Sequence, residues 1–252
     1  ANKLAVVTPF ANGVIREVFV DVGQSVKKGQ LLAEVNSPTV ADVKSDLVKS
    51  LAEAERARLA FKREESLLKG EISSRKDYER AQADYTVGAS EVDRARQQLL
   101  NLGLTEEELA SVEKTRSTSS ILPLRAPFDG SIIDRDAVPG TAVDAGELVF
   151  RIADLATMWM ELSVPESAAV QLQTGAKVRA TFAAFPDENF DGELVWIASQ
   201  IDESSRAVNA RALMPNAGNR LKSGLFGNAI ITQSVLTTCL TVPSDAVQTI
   251  DG

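Results

Sequence analysis

A glycine-punctuated segment occurs twice in the chain, and this repeat limits the possible folds more than any other feature. Residues 13–35 read GVIREVFVDVGQSVKKGQLLAEV, and residues 130–152 read GSIIDRDAVPGTAVDAGELVFRI. Between the glycines, apolar residues alternate with polar ones, which is typical of short β-strands joined by tight turns. The alignment pairs six glycines: Gly13 with Gly130, Gly23 with Gly140, and Gly29 with Gly146.

Each copy of the repeat is too small to bury a core alone, so we expect the two copies to pair into one flattened β-barrel. Tight turns between short strands require positive φ, which costs glycine less than a residue with a β-carbon. The six glycines are therefore predicted to be structural turn residues. The split domain is predicted to contain residues 5–36 and 122–153, with residues 37–121 as an insertion.

The insertion changes from alternating to helical periodicity. Residues 40–69 are rich in good helix formers, and Pro38 suits a helix N-terminus. Heptad spacing links the apolar residues of this arm, which are Leu47, Leu51, Ala54, Phe61 and Leu68. A second arm, residues 74–102, continues the seam in steps of three and four at Tyr78, Ala81, Tyr85, Gly88, Val92, Ala95, Leu99 and Leu102. The short break between the arms makes them antiparallel neighbours, in a rod on the order of 45 Å long.

Two further regions follow the hairpin. The segment NLGLTEEELASVEKT, residues 101–115, predicts a short third helix in which Thr105 is the N-cap and Glu108 completes a capping box. Residues 154–241 contain alternating strand patterns at residues 158–164, 178–182 and 192–197 and a short helix near residues 166–173. This pattern predicts a second β-barrel domain.

The composition excludes several classes of function. The 252 residues include no histidine, which removes the commonest general base and the commonest transition-metal ligand. No phosphate-binding glycine loop or G-x-S-x-G motif is present, so we expect neither an enzyme nor a cofactor. The net charge is −8 with scattered Lys and Arg, which argues against a nucleic-acid partner.

Cys239 lies in an apolar stretch and is interpreted as a buried small residue. No apolar run is long enough for a membrane span.

Flattened barrels with two glycine-punctuated halves resemble biotinyl and lipoyl carrier domains. In those domains a lysine at the tip of the hairpin between the halves carries the cofactor. At the corresponding place this chain runs through Val-Asn-Ser-Pro, residues 35–38, into the helical insertion. A carrier function is therefore the alternative from another class, and a biotinyl or lipoyl adduct in the intact mass would support it.

The motifs VKKGQLLAEV and LRAPFDGSIIDRDAVPGTAVDAGELVFRIADL resemble the periplasmic adaptor, or membrane fusion (HlyD-like), family. The resemblance covers nearly the whole chain and continues through GELVWIASQIDESSRAVNARALMPNAGNRLKSGLFGNAII. It implies a multidomain β plus α fold, in which an α-helical coiled-coil hairpin is inserted between two halves of a lipoyl-like β-barrel and a second β-barrel domain follows. Residues 1–4 and 242–252 are then expected to be stubs of a truncated membrane-proximal domain, with the membrane-anchoring segments outside this sequence.

The same resemblance implies a function in the periplasm. The chain is expected to link an inner-membrane RND transporter to an outer-membrane TolC-like channel in a tripartite efflux system, and to associate with itself in a ring, either a trimer or a hexamer. The compact hairpin followed by NLGLTEEEL resembles the heavy-metal (CusB/CzcB-like) branch, so heavy-metal cations are the expected cargo. An adaptor of a multidrug RND pump or of an ABC-type exporter is the alternative.

Two sets of site residues follow from this resemblance. In drug-efflux adaptors of the family, an Arg, a Leu and a Ser at the hairpin tip meet the outer-membrane channel. Arg63, Leu67 and Ser73 match in type and order, with a Leu-to-Ser gap one residue short; alternatively, Arg63 is a solvated helix residue and Ser73 the N-cap of the second arm. Met158 and Met160 share a face of one strand, and their thioethers suit monovalent copper; alternatively, they fill the core.

Overall fold

The computed structural model describes residues 3–232, which form two compact units, residues 3–154 and residues 155–232. Three sequence interpretations fall wholly or partly outside the described residues: Cys239, the membrane-proximal stubs at residues 1–4 and 242–252, and the end of the domain predicted for residues 154–241. Within residues 3–232, no helix combines the length and the apolar character that a membrane crossing requires.

The first unit contains eight strands arranged in two four-stranded antiparallel sheets. The strands are β1 (Lys3–Val7), β2 (Gly13–Val18), β3 (Ser25–Val26), β4 (Leu31–Asn36), β5 (Ile121–Arg125), β6 (Gly130–Arg135), β7 (Ala142–Val143) and β8 (Phe150–Asp154). One sheet has the order β1-β8-β6-β3 and the other the order β5-β4-β2-β7. The fold class is the mixed β plus α class that the sequence predicts.

Each sheet takes strands from both copies of the repeat. β1 and β3, from the half of the domain before the insertion, join β6 and β8 from the half after it, while β5 and β7 of the second half join β2 and β4 of the first. In this exchange Val26 pairs with Gly130, and Gly13 pairs with Val143. The two halves are interlocked, so neither sheet can form from one half alone.

Strand β1 begins two residues before the start that the sequence suggests for the split domain. Lys3 and Leu4, which the sequence assigns to the segment at residues 1–4, pair with Asp154 and Ala153 on β8. An isolated strand end leaves its backbone groups unpaired, and the neighbouring β8 extends far enough to bind both residues.

The six repeat glycines serve two structural purposes. Four of them have φ between +81° and +88°, as the turn argument requires: Gly23, Gly29, Gly140 and Gly146. Gly13 and Gly130 lack positive φ, so that argument is wrong for them. A β-carbon on Gly13 would lie 2.5 Å from the Asn36 carbonyl oxygen, and one on Gly130 would lie 2.7 Å from the Ala153 carbonyl oxygen. These two positions require glycine because a neighbouring strand passes so closely.

The insertion contains three helices: α1 (Pro38–Lys69, 32 residues), α2 (Arg75–Asn101, 27 residues) and α3 (Glu106–Thr115). Pro38 occupies the first turn of α1, where its missing N–H costs nothing. Thr105 and Glu108 form the predicted capping box at the start of α3. The two long helices pack against each other as the antiparallel hairpin that the heptads predict.

The base of the hairpin shares one apolar core with the barrel. Val40, Leu47 and Leu99 are fully buried and belong to the same cluster as Val35 and Leu122 of the strands. Burying each such side chain stabilises the fold by about 1.5–3 kcal/mol. The chain leaves and re-enters the barrel at adjacent points, where the backbone N–H of Ser37 donates to the carbonyl oxygen of Ser120 at 2.8 Å.

The second unit is a five-stranded antiparallel sheet with the order β13-β10-β11-β12-β9. Its elements are β9 (Thr157–Pro165), α4 (Glu166–Ala169), β10 (Lys177–Phe182), β11 (Phe185–Asp202), β12 (Ala207–Pro215) and β13 (Gly227–Thr232). The sequence predicts the first three strands and a longer helix, and it identifies neither β12 nor β13.

The buried Asn216 organises the segment between β12 and β13. Its side-chain N–H₂ donates to the carbonyl oxygens of Leu155 and Leu221, and its oxygen accepts from the Leu221 N–H.

Candidate functional site

The distal half of the hairpin is held together by aromatic side chains. The ring of Phe61 on α1 lies 5.4 Å from the ring of Tyr78 and 5.9 Å from the ring of Tyr85, both on α2. The Phe61 and Tyr85 rings are nearly parallel, with an interplanar angle of 8°. Aromatic pairs in this range of distance stabilise by about 0.5–1.5 kcal/mol beyond their buried area. The arms therefore stay together close to the tip, where little other core is available.

The tip loop, residues 70–74, is closed by hydrogen bonds to the last turn of α1. The carbonyl oxygen of Leu67 accepts from the N–H groups of Ile72 at 2.9 Å and Ser73 at 3.4 Å. The Ser73 hydroxyl donates to the Glu64 carboxylate at 2.5 Å. Leu67 and Ser73 are half-buried, so the structure brings these two predicted docking residues together at the tip.

Arg63 is exposed, one helical turn before Leu67. Within residues 3–232 its guanidinium has no ion-pair partner, whereas Arg58 pairs with Glu55 and Arg75 with Glu79 on the same hairpin. A guanidinium without an ion-pair partner near the tip is available to donate hydrogen bonds to a carboxylate or carbonyl oxygen of another molecule.

The N-cap of α2 is Ser74 and not Ser73. The Ser74 hydroxyl oxygen accepts from the backbone N–H of Asp77 at 3.2 Å, which is the capping geometry. The alternative interpretation of Ser73 as the N-cap is therefore wrong, because the helix begins one residue later and Ser73 turns back to Glu64. Sequence analysis could not distinguish two adjacent serines by type alone.

A buried lysine fixes the base of the hairpin, and sequence analysis missed it. Lys44 on α1 is only 6% exposed, and its ammonium group donates to the carbonyl oxygens of Ser119 at 2.8 Å and Ile121 at 3.2 Å. Burial lowers the pKa of Lys44, and the negative charge of Glu108 partly opposes this shift. The signal was present in the sequence, because Lys44 falls between Val40 and Leu47 on the apolar stripe of α1.

Glu108 joins the third helix to the barrel in addition to capping it. Its carboxylate accepts from the Arg125 guanidinium at 2.6 Å and from the Thr105 N–H at 2.9 Å. Burial alone would raise the pKa of Glu108, but the hydrogen bonds from Thr105 and Arg125 outweigh it and keep the pKa below its usual value. Arg125 also donates to the Gly29 carbonyl oxygen at 3.1 Å, so one side chain contacts the helix and a barrel turn.

The second unit carries a Trp-Arg-Trp cluster on the outer face of its sheet. The guanidinium carbon of Arg211 on β12 lies 4.3 Å from the ring centre of Trp159 on β9 and 5.6 Å from that of Trp196 on β11. Both tryptophans are more than one-third exposed, and Arg211 also pairs with Glu161 at 3.2 Å. A shift of register between Leu194 and Trp196 brings Trp196 opposite Arg211, which simple alternation along the strand does not predict.

The two candidate metal ligands lie on the inner face of this sheet. Met158 is buried in the core of the second unit, and Met160 packs against that core. Met214 pairs with Met158 across the strands, so all three methionines of the chain occupy one region. Their contacts with core residues favour a packing role. Within residues 3–232, no three acidic or cysteine side chains are grouped as a metal site. Copper binding by Met158 and Met160 stays a prediction.

Comparison with known proteins assigns both units to families. The family described as CzcB-like, barrel-sandwich hybrid domain matches residues 3–154, and the family described as CusB-like, beta-barrel domain matches residues 157–235. The cobalt-zinc-cadmium resistance protein CzcB of Cupriavidus metallidurans is 30% identical over 251 residues, which cover 100% of this chain and 46% of that protein. The chain thus spans about half the length of the curated relatives it matches.

Solved structures agree with this fold. The crystal structure of ZneB from Cupriavidus metallidurans superposes with a TM-score of 0.53 at 27% identity, covering 90% of this chain and 66% of that one. A MacA-MexA chimeric protein, which contains the Pseudomonas aeruginosa MexA α-hairpin domain, superposes with a TM-score of 0.69 at 20% identity, covering 91% and 74%. The hairpin-bearing barrel, its match over residues 3–154 and the identity to CzcB lead to one conclusion. The chain belongs to the CzcB-like family of membrane fusion proteins.

Proposed function

We propose that this chain is the adaptor part of a tripartite efflux system that exports heavy-metal cations from the periplasm, and that its role is non-enzymatic. It would link an inner-membrane RND transporter to an outer-membrane channel. The observation that carries this proposal is the insertion of a 32-residue and a 27-residue helix into a CzcB-like barrel. Such a hairpin extends its tip on the order of 40–48 Å from the barrel, which gives a second protein a separate place to bind.

The contacts at the tip support docking to the channel. Arg63 is exposed and free of ion pairs within the described residues, and Leu67 is half-buried under the loop that contains Ser73. The bond between Ser73 and Glu64 holds the loop in one conformation before binding. A preorganised loop loses less conformational entropy when it meets its partner.

The base of the hairpin supports a mechanical role. Lys44 and Glu108 connect the helices to the barrel strands through hydrogen bonds to Ser119, Ile121 and Arg125. The base of the hairpin also shares one apolar core with the barrel. A hairpin fixed at its base in this way keeps its tip in a defined position relative to the barrel strands of the first unit.

We further propose that copies of the protein form a closed ring of three or six. A ring requires heterologous contacts between neighbouring copies. The exposed Trp159 and Trp196, which Arg211 joins, favour a protein contact on the second unit, because Trp and Arg are enriched among residues that dominate binding energy.

A deletion strain tests the cargo. Growth would be measured with zinc, cobalt, cadmium, nickel, copper, silver and a set of hydrophobic drugs, with and without the full-length protein supplied in trans. We expect metal sensitivity that the full-length protein reverses. Sensitivity to drugs alone would favour the multidrug or ABC-type alternative, and no sensitivity at all would contradict a role in export.

A further inference from the structure

The two copies of the repeat make the same loop contact, one with an amide and the other with an acid. Asn12 and Asp129 each precede the first glycine of their copy. The Asn12 side-chain oxygen accepts from the Ala145 N–H at 3.0 Å, and the Asp129 carboxylate accepts from the Lys28 N–H at 2.6 Å. Lys28 and Ala145 are equivalent in the repeat, so the two contacts correspond. Each contact joins one half of the barrel to the other half.

A second pair of equivalent residues shows the same exchange. The Gln30 side-chain oxygen accepts from the Lys27 N–H at 3.0 Å, and the Glu147 carboxylate accepts from the Asp144 N–H at 2.8 Å. Amide and carboxylate oxygens are both hydrogen-bond acceptors. At two positions, therefore, the barrel accommodates either an amide or an acid where the contact uses only the oxygen.

The glycine after Asn12 is required by the packing of the barrel. A β-carbon on Gly13 would lie 2.5 Å from the Asn36 carbonyl oxygen, which leaves no room for a side chain. Asparagine at position 12 and glycine at position 13 form the dipeptide Asn-Gly, which occurs once in the 252 residues. The fold therefore retains a dipeptide whose side-chain amide is chemically labile.

An Asn-Gly dipeptide loses its amide without an enzyme. The Gly13 backbone nitrogen, after giving its proton to water or hydroxide, attacks Cγ of Asn12. The Cγ–Nδ2 bond breaks and ammonia leaves, so that a succinimide ring joins the two residues. Water then opens the ring. Cleavage of the new Cγ–N bond gives aspartate, whereas cleavage of the original peptide bond gives isoaspartate, in which the main chain runs through Cγ.

The structure favours this reaction at Asn12. The residue is exposed and lies in the loop between β1 and β2. Gly13 has no β-carbon to obstruct the attack. The Ala145 N–H donates to the oxygen that becomes negatively charged as the ring closes, and such a donor stabilises the developing charge.

We propose that Asn12 deamidates spontaneously in the folded protein, and that the barrel retains the aspartate product but not the isoaspartate product. Aspartate keeps the acceptor for the Ala145 N–H, as Asp129 does in the equivalent contact. Isoaspartate inserts the β-carbon of residue 12 into the main chain, which displaces Gly13 from a position where the neighbouring strand leaves no room. This inference goes beyond the proposed adaptor function and does not depend on it.

The neighbouring charges distinguish the aspartate product from the equivalent contact. Asp129 binds next to two exposed lysines, Lys27 and Lys28, whereas an acid at position 12 would bind next to the exposed Asp144. Like charges on an exposed surface repel each other weakly, and salt screens them. The aspartate product should therefore lose a little stability in dilute buffer and regain it in salt.

The test follows the purified protein as it ages in its folded state, in mildly alkaline buffer at physiological temperature. Peptide mapping by mass spectrometry measures amide loss at Asn12 and at two references, Asn209 and Asn228, which are also exposed but precede alanine. We expect Asn12 to lose its amide several-fold faster than either reference. Fragmentation that distinguishes the isomers should find aspartate in the folded protein and isoaspartate enriched in the fraction that a protease digests first.

Two variants test the retained product directly. Asn12→Asp should unfold at nearly the same urea concentration as the wild type in salt, and at a slightly lower one without added salt. Asn12→Leu is similar in size but leaves the Ala145 N–H without its acceptor, so it should unfold at a lower urea concentration under both conditions.

Each part of the proposal has an outcome that overturns it. If Asn12 loses its amide no faster than Asn209 and Asn228, it is not a preferred site of deamidation. If Asn12→Asp is as unstable as Asn12→Leu in salt, or if the protease digests both isomers alike, the barrel does not select between the two products.

Discussion

Gly88 on α2 lies so close to Ala54 on α1 that a β-carbon on Gly88 would be 3.1 Å from the Ala54 α-carbon. The two backbones approach each other here with room for only a hydrogen atom between them. This contact lies on the same side of α2 as Tyr85, one turn away, which stacks on Phe61. The spacing of the arms is therefore set by the smallest residue of the seam.

Gly88→Val should force the arms apart and lower the free energy of unfolding by about 1–3 kcal/mol, the usual cost of overpacking. Urea unfolding followed by circular dichroism measures the change. Valine has a higher helix propensity than glycine, so helix propensity cannot explain a loss at position 88. Ala83→Val, at an exposed position of the same helix, introduces valine away from the seam and should cost less than about 0.7 kcal/mol. Equal effects of the two substitutions would contradict the close contact.

Gly130→Ala and Gly140→Ala should lower the free energy of unfolding by different amounts, although the two glycines occupy equivalent kinds of position in the sequence repeat. At Gly130 the new β-carbon meets the Ala153 carbonyl oxygen, so the strands must separate, and we expect a loss of about 2–4 kcal/mol. At Gly140 nothing lies within 4 Å, and the cost is the left-handed conformation alone, about 1–2 kcal/mol.

Asparagine substitutions at the same two positions separate the cost of the backbone conformation from the cost of the steric contact. Asn tolerates positive φ better than Ala, so Gly140→Asn should recover part of the stability lost in Gly140→Ala. Gly130→Asn should recover none, because its β-carbon still meets the neighbouring strand. Chemical denaturation of the four variants measures both differences, and recovery at Gly130 would show that conformation and not space governs that site.

Lys44→Met should lower the free energy of unfolding by about 1–3 kcal/mol, because the carbonyl groups of Ser119 and Ile121 lose their donor. Lys49→Met, on the exposed face of α1, should have little effect. Urea unfolding measures both. If the Lys44→Met protein were as stable as the wild type, the ammonium group would make no net contribution to stability where the hairpin meets the barrel.

The difference in the free energy of unfolding between the wild type and Lys44→Met should depend on pH. Because burial lowers the pKa of Lys44 below its ordinary value of 10.5, the folded state disfavours the charged ammonium group. The free energy of unfolding of the wild type should therefore rise, relative to Lys44→Met, as the pH increases from the folded pKa towards 10.5. Unfolding at about pH 7.5 and about pH 9.5 tests this sign, and a fall in the difference would refute it.

Arg211→Ala should change the tryptophan fluorescence of the whole chain, since Arg211 contacts both of its tryptophans. Without the guanidinium, Trp159 and Trp196 become more accessible to water, so emission should move to longer wavelengths. The loss of two cation–π contacts should also cost about 0.5–2 kcal/mol. Arg179→Ala, which removes an ion pair with Asp191, is the control, and identical spectra for the two variants would contradict the stacking.

The features that the sequence predicts best are those determined by local periodicity. The heptads of both arms, the Pro38 start and the Thr105 capping box depend on neighbours within one or two helical turns, so a single segment carries the information. The interpretation of Ser73 as the N-cap of the second arm was wrong for the opposite reason. Adjacent residues of one type give the same local signal, and only the path of the loop separates them.

Features that depend on distant strands escaped prediction. The requirement for glycine at positions 13 and 130 comes from strands that are remote in sequence, and the repeat alone suggests a turn. Trp196 reaches Arg211 only through an irregular register, and Lys44 finds its acceptors in a linker about 75 residues away. Of the predicted docking residues, Leu67 and Ser73 are brought together by the loop, while their contact with a channel stays a prediction.

The hydrogen bond between Ser37 and Ser120 makes the length of the rod independent of the barrel. Because the insertion leaves and returns at one point, matched deletions of seven residues from α1 and α2 would shorten the rod by about 10 Å without moving a strand. Whole heptads preserve the seam, whereas other lengths would rotate one arm against the other. The length of the rod can therefore change as a nearly separate variable, while the barrel keeps its own constraints.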